Sequence, residues 1–151
     1  MRPDIFFQTY GLAAQAACKG TGLCASVCLA QAACESAWGL SGLTTRDNNF
    51  FGIKAGKTWR GAKATWPTSE YLNGKWVKVP ADFRKYATPE ESFRDRVQLF
   101  RNMARYHRLF VKDDAETEAR LIQACGYATD PQYSNKLIAV IRKYNLTRFD
   151  S

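Results

Sequence analysis

The sequence predicts an α+β domain, mainly helical, with one small β-hairpin set among the helices. Three observations carry this. Apolar residues recur at helical spacing through several long stretches. An Asn73-Gly74 pair stands between two alternating segments, the signal of a tight hairpin turn. Nothing in the 151 residues reads as a repeat, a low-complexity tract or a linker. A chain of this length is expected to be one domain, 1–151, able to bury a core without metal or disulfide staples.

The elements follow in order. Pro3 suits the first turn of a helix, and Ile5, Leu12 and Ala16 begin a stripe that runs to about Cys18. Gly20-Thr21-Gly22 breaks it. A second helix is expected from about Leu23 to Trp38, with Val27, Ala30 and Cys34 on one face and Gly39 as its C′ residue. Its many alanines permit close packing, so it reads as a central buried helix. Gln31 and Glu35 lie one turn apart on it and share a side. Residues 39–63 read as loop. The hairpin pairs Thr68–Leu72 with Lys75–Val79; alternation puts Glu70 with Thr68 and Leu72 on one face and Tyr71 with Ser69 on the other. Phe83–Tyr86 is expected as a third short strand. Thr88-Pro89-Glu90-Glu91 is a capping box with proline at N1, opening a helix through Phe93, Val97, Phe100 and Ala104. Asp113 or Asp114 starts another, ended by Gly126. Asp130-Pro131 starts the last, with Leu137, Val140, Ile141 and Tyr144 inward and Asn145 closing it.

The net charge of +8 favours polyanionic partners. No helix-turn-helix, zinc-finger spacing or aromatic RNA-binding motif accompanies that charge, so nucleic acid is not expected as a partner. Arg94, Arg96, Arg101, Arg105 and Arg108 read as a solvated basic face. Cys18, Cys24, Cys28, Cys34 and Cys125 lack zinc spacing and read as small buried thiols. With His107 far from any of them in sequence, a Cys-His nucleophile is not expected. No run of 18 apolar residues exists to span a membrane. Met1-Arg2-Pro3-Asp4 leads directly into amphipathic sequence instead of a secretory signal.

The chemistry centres on Gln31-Ala32-Ala33-Cys34-Glu35-Ser36-Ala37-Trp38-Gly39. It places a single carboxylate at the end of an otherwise apolar helix. Such surroundings disfavour the charged form, raise the pKa and leave a carboxyl able to donate a proton. Trp38, three residues on, is expected to wall off water. Glycoside hydrolysis uses such an acid to protonate the departing sugar oxygen.

That segment, with Ser41-Gly42-Leu43-Thr44-Thr45, Asn48-Asn49-Phe50-Phe51-Gly52-Ile53-Lys54-Ala55, Glu70-Tyr71 and Gly126-Tyr127-Ala128-Thr129-Asp130-Pro131-Gln132-Tyr133, resembles family 73 of the glycoside hydrolases, the peptidoglycan N-acetylglucosaminidases. The matching segments run in family order from about residue 3 to 145. The resemblance implies a lysozyme-like fold with the hairpin beside a cleft. It implies Glu35 as catalytic acid, Glu70 as a second carboxylate that orients water or stabilises positive charge on the sugar, and Tyr127 as a third catalytic position. It also implies a substrate-binding set: Asn49 and Phe51 on the cleft floor, Phe50 being core; Tyr71 on the hairpin; Tyr106 near the groove; and Tyr133, which competes with Tyr127 for the place facing the reaction. The implied reaction cleaves the β-1,4 bond after N-acetylglucosamine in peptidoglycan glycan strands. The same acid would serve a muramidase or a lytic transglycosylase, whereas an intact Glu35 argues against a purely wall-binding module. No metal or other cofactor is expected, since no ligand cluster is visible, and the domain is expected to act as a monomer. Action at the bacterial wall or periplasm would require delivery by a phage lysis or tail system, a secretion machine, or processing of a precursor.

Overall fold

The computed structural model describes residues 1–150. Helices α1 (Pro3–Cys18), α2 (Ala25–Glu35) and the short α3 (Gly42–Asp47) precede strands β1 (Lys63–Leu72) and β2 (Lys75–Arg84). Then come α4 (Pro89–Asn102), a 3-10 segment (Ala104–Phe110), α5 (Ala115–Ala124), α6 (Tyr133–Lys143) and a last 3-10 turn (Leu146–Phe149). The α+β class and the order of elements follow the sequence pattern.

Helix α2 is the axis of the domain. Every residue from Ala25 to Ala33 is buried, and α1, α5, α6 and the last 3-10 turn pack around it. Small side chains make this possible by letting neighbouring helices close in on all sides. Its N-terminal orphan donors are met by carboxylates: Glu118 Oε1 accepts from Cys24 N–H and Asp150 Oδ1 from Ser26 N–H, each at 2.9 Å. The helix ends at Glu35, three residues before the expected Trp38. Ala37, Trp38 and Gly39 all turn to positive φ (51°, 57°, 82°), a left-handed run that costs non-glycine residues roughly 1–2 kcal/mol apiece. Aromatic packing offsets that cost. Trp38 meets Phe7 and Tyr144 edge-on with ring centres 5.6 Å apart in both cases. The indole thus joins an aromatic cluster with Phe6, Phe7 and Tyr144.

The two strands pair antiparallel over ten residues each, longer than the alternation suggested. Phe83 and Arg84 belong to β2, so the expected third strand does not exist; Phe83 instead makes an isolated bridge to Lys54. Pro67 sits opposite Pro80, and because neither has an N–H this must be a non-hydrogen-bonded pair. Alternation then makes Leu72 and Lys75 the hydrogen-bonded pair that closes the turn, with Asn73 (φ 52°) and Gly74 (φ 77°) both left-handed as a type I′ turn requires. The hairpin is fastened at its root. Trp66 Nε1–H donates to the buried Asp47 Oδ2 at 2.6 Å, and the indole lies so close over Gly42 that a Cβ there would come within 2.7 Å of it. Helix α3, which the loop reading of 39–63 missed, exists to present Asp47 and Gly42 for this contact; Ser41 caps it by accepting from Thr44 N–H.

Thr88 caps α4 as expected, while Glu91 reaches back to Ala87 N–H instead of to the cap residue itself. Helix α4 stops at Asn102, and Ala104 opens the 3-10 segment that follows. Asp114 caps α5. At the start of α6 the cap residue is Gln132, with Asp130 accepting from its N–H. The five cysteines are unpaired; Cys18, Cys28 and Cys125 are buried, Cys24 is half-buried, and Cys34 is exposed, contrary to its expected inward face.

Arg96 departs most from expectation. It lies on the α4 stripe between Phe93 and Phe100, 1% exposed, with its guanidinium over the Phe100 ring at 4.8 Å and the Phe51 ring at 5.7 Å. Arg94, Arg101, Arg105 and Arg108 do face solvent. Glu118 is also buried, and burial pushes its carboxyl up from 4.5 to about 7 although the Arg96 charge opposes this. Below 4.5 both the folded and the unfolded chain hold that proton. Between 4.5 and about 7 the unfolded chain releases it first, so stability falls as pH rises, then levels off. Melting temperatures measured across this range should decline, and Glu118→Gln should flatten the decline.

Candidate active site

Glu35 is the last residue of α2, where the helix leaves the core and meets solvent. Its side chain has an open edge, yet the protein removes enough water from the carboxyl to raise its pKa, with the Tyr133 hydrogen bond opposing. The negative end of the α2 dipole acts in the same direction as desolvation, since it disfavours a second negative charge there.

A line of buried polar groups leads to this carboxyl. Arg96 Nε–H donates to Gln31 Oε1 at 2.8 Å, Gln31 Nε2 donates to the Tyr133 hydroxyl at 3.0 Å, and that hydroxyl donates to Glu35 Oε1 at 2.9 Å. Three helices supply it: α4 carries Arg96, α2 carries Gln31 and Glu35 one turn apart, and α6 opens with Tyr133. Tyr133 is 7% exposed, and burial holds its phenol strongly toward the protonated form. It is therefore a fixed hydrogen-bond donor. Tyr127 stacks on it, ring centres 5.6 Å apart at 23°, and burial with the nearby Glu35 charge raises the Tyr127 phenol as well. The hydroxyl that touches the acid is thus that of Tyr133.

Glu70 lies on the β1 face shared with Trp66 and Thr68, half-buried, and its Oε1 accepts from Lys54 Nζ at 2.8 Å. Lys54 comes from the Asn48–Ala55 segment, so the ion pair ties the outer hairpin to the loop beneath it. The pair is largely solvated and adds little stability. It fixes where Glu70 rests, and a mobile cation would release it readily.

Other expected contacts lie elsewhere. Asn49 is 1% exposed. Its Nδ2 donates to Ile53 O (3.0 Å) and Arg84 O (2.8 Å), and its Oδ1 accepts from Ile53 N–H (3.1 Å). Every polar atom of the side chain is engaged, so it brackets the loop to the hairpin root and offers nothing to a substrate. Phe51 is buried edge-on to Phe93 and beneath Arg96, and Tyr106 is buried against Phe100; both are core. Tyr71 is exposed on the hairpin face opposite Glu70, edge-on to Trp76 at 5.3 Å, and the structure does not bring it to Glu35. Gln31 and Arg96 were not singled out as site residues. The available signal was Arg96 falling at apolar spacing between Phe93 and Phe100, and Gln31 sharing Glu35's side of the helix.

Comparison with known proteins identifies the chain's relatives. Residues 11–146 match the family described as mannosyl-glycoprotein endo-beta-N-acetylglucosaminidase. The peptidoglycan hydrolase FlgJ of Pseudomonas aeruginosa is 40% identical over 93% of the chain, which spans 36% of that protein. A probable N-acetylmuramidase of Lactococcus lactis is 37% identical over 97% of the chain, which spans 35% of it. The crystal structure of the catalytic domain of the autolysin Auto from Listeria monocytogenes superposes with a TM-score of 0.88 at 34% identity, covering 98% of this chain and 87% of that one.

Asn49→Ala should destabilise the fold by about 3 kcal/mol or more in chemical denaturation, because three buried hydrogen bonds lose their partner. Its KM, measured well below the melting point, should stay near wild type.

Proposed function

The chain belongs to the glucosaminidase family of glycoside hydrolases, and we propose that it cleaves the β-1,4 bond after N-acetylglucosamine in peptidoglycan with Glu35 as general acid. One observation carries this reading. Glu35 stands where a helix buried from Ala25 to Ala33 reaches solvent, its Oε1 held by Tyr133 and its pKa raised by desolvation. Such a carboxyl keeps a proton to higher pH than a solvated one and presents it at an open edge. As the sugar oxygen leaves, it takes that proton, and positive charge grows on the anomeric carbon.

Glu70 is the group we assign to the far side of the bond. Released from Lys54, its carboxylate orients an attacking water or stabilises the developing cation, a role that suits a residue on a two-stranded arm better than that of a tightly held nucleophile. Tyr127 supports the acid side by stacking on Tyr133. The basic surface, net charge +8, attracts the domain to the anionic bacterial wall, where it acts as a monomer on glycan strands. No helix is long and apolar enough to cross a membrane among the described residues.

Glu35→Gln keeps shape and the Tyr133 contact but has no proton to give. Wall-lytic activity of the pure, folded variant should fall by about 10²–10⁴-fold; near wild-type rates would remove Glu35 from its role. Mass spectrometry of digested peptidoglycan identifies the bond. N-acetylglucosamine at the new reducing ends is expected, whereas reducing N-acetylmuramic acid would indicate a muramidase and 1,6-anhydro ends a transglycosylase.

A further inference from the structure

We propose that Arg96 and Gln31 are positioning residues that set the direction of the hydrogen-bond line ending at Glu35, so that Tyr133 must donate to Oε1 and the catalytic proton is left on Oε2. Donors and acceptors along the line fix its direction. A guanidinium has donors and no acceptor, so the Arg96 Nε–H at 2.8 Å compels Gln31 to turn its Oε1 toward it. The Gln31 amide nitrogen must then face Tyr133, and it can only donate there, at 3.0 Å. Having accepted that bond, the Tyr133 hydroxyl has its single proton free for Glu35 Oε1 at 2.9 Å. The first two steps leave one choice each; at the third, donation to Oε1 is the arrangement that also gives the hydroxyl proton an acceptor.

Reversing the amide would place two acceptors face to face at Tyr133 unless the hydroxyl swung its proton toward Gln31. Glu35 would then lose its donor. Arg96 is thus a fixed charge in the core whose purpose is orientation. Its two terminal nitrogens are buried without a protein hydrogen-bond partner, as is Glu118 Oε2, which makes it an expensive way to build a core and argues for a return elsewhere. Two rings supply part of the compensation, Phe100 and Phe51.

The groups that face each end are few. Cys18 on α1, Cys28 on α2, Glu118 on α5 and the Tyr127 phenol surround Arg96 electrostatically. Near Glu35 stand Tyr133, Tyr127 and the Cys34 thiol, with Lys136 of α6 close to Cys34. The Tyr133 bond favours the ionised form of Glu35 while desolvation disfavours it. The line therefore limits how far the acid's pKa can climb, keeping it willing to release its proton to the sugar oxygen.

Gln31→Glu tests this most sharply. A carboxylate there accepts from Arg96 and accepts again from Tyr133, so the hydroxyl turns from Glu35 to residue 31. The Glu35 carboxyl, followed by carbon-13 NMR titration, should move up by about one unit, the worth of one charge-assisted bond. The alkaline limb of the kcat–pH profile should move up with it while KM stays constant, since the acid must be protonated to act. The kinetic arm rests on Glu35 being the acid; the titration does not, so it separates failure of the relay from failure of the proposed function. The added charge at 31 could raise Glu35 by itself, and Tyr133→Phe resolves this. That variant alone should raise Glu35 by a similar amount, and the double variant should go no higher than either single. Additive shifts, or an unmoved Glu35 in Gln31→Glu, would overturn the proposal. Arg96→Lys, which retains a donor beside Gln31, should titrate nearer wild type than Arg96→Met; a folded Arg96→Met with wild-type titration would remove Arg96 from the line.

Discussion

Helix α2 is buried from Ala25 to Ala33, and the rest of the domain follows from that constraint. A helix enclosed on all sides cannot carry polar side chains that look to water. Only two lie within its buried stretch: Ser26, bound to Asp150, and Gln31, bound to Arg96 and Tyr133. Its two ends divide the electrostatics. Glu118 and Asp150 sit at the N-terminus, where the dipole suits an acceptor, and Glu35 sits at the C-terminus, where it does not. The same helix thereby holds one end capped and, at the other, a carboxyl whose charged form is disfavoured.

The hairpin is the complementary part. Its root is fixed by Trp66 on Asp47 and by the Asn49 bracket, and its register by the opposed prolines. Its outer half has only the solvated Lys54–Glu70 pair to hold it to the body. A bonded root and a lightly tethered tip leave Glu70 on the arm held by that one solvated ion pair. Glu35 is thus held by a buried line of hydrogen bonds, and Glu70 by a single solvated ion pair.

Much of this was legible in the sequence, and the errors share one cause. The turn at Asn73-Gly74, the capped start of α4 and the central burial of α2 are local statements about backbone and periodicity, and they hold. Glu35 was legible as a lone carboxylate ending an apolar helix. Asn49, Phe51 and Tyr106 lie in family-like motifs that imply substrate contacts, yet all three are buried. A motif marks residues that a fold needs without saying whether the need is a bracket, a core or a ligand. Arg96 was hidden by its charge; its spacing with Phe93 and Phe100 pointed inward, but a lone arginine is rarely buried. The left-handed run at Ala37-Trp38 could not be read at all, since neither residue favours it and it is sustained by the aromatic packing of Trp38 and by turn hydrogen bonds such as Trp38 N–H to Ala33 O.

The Glu35 carboxyl is harder to ionise than a solvated glutamate although Tyr133 donates to it. Carbon-13 NMR titration of the side-chain carboxyls in the wild-type domain measures this directly. A Glu35 midpoint above the ordinary 4.5 is expected, with the titration belonging to one group. A midpoint at or below 4.5 would show a solvated or over-stabilised carboxylate, and the acid role drawn from its placement would fail.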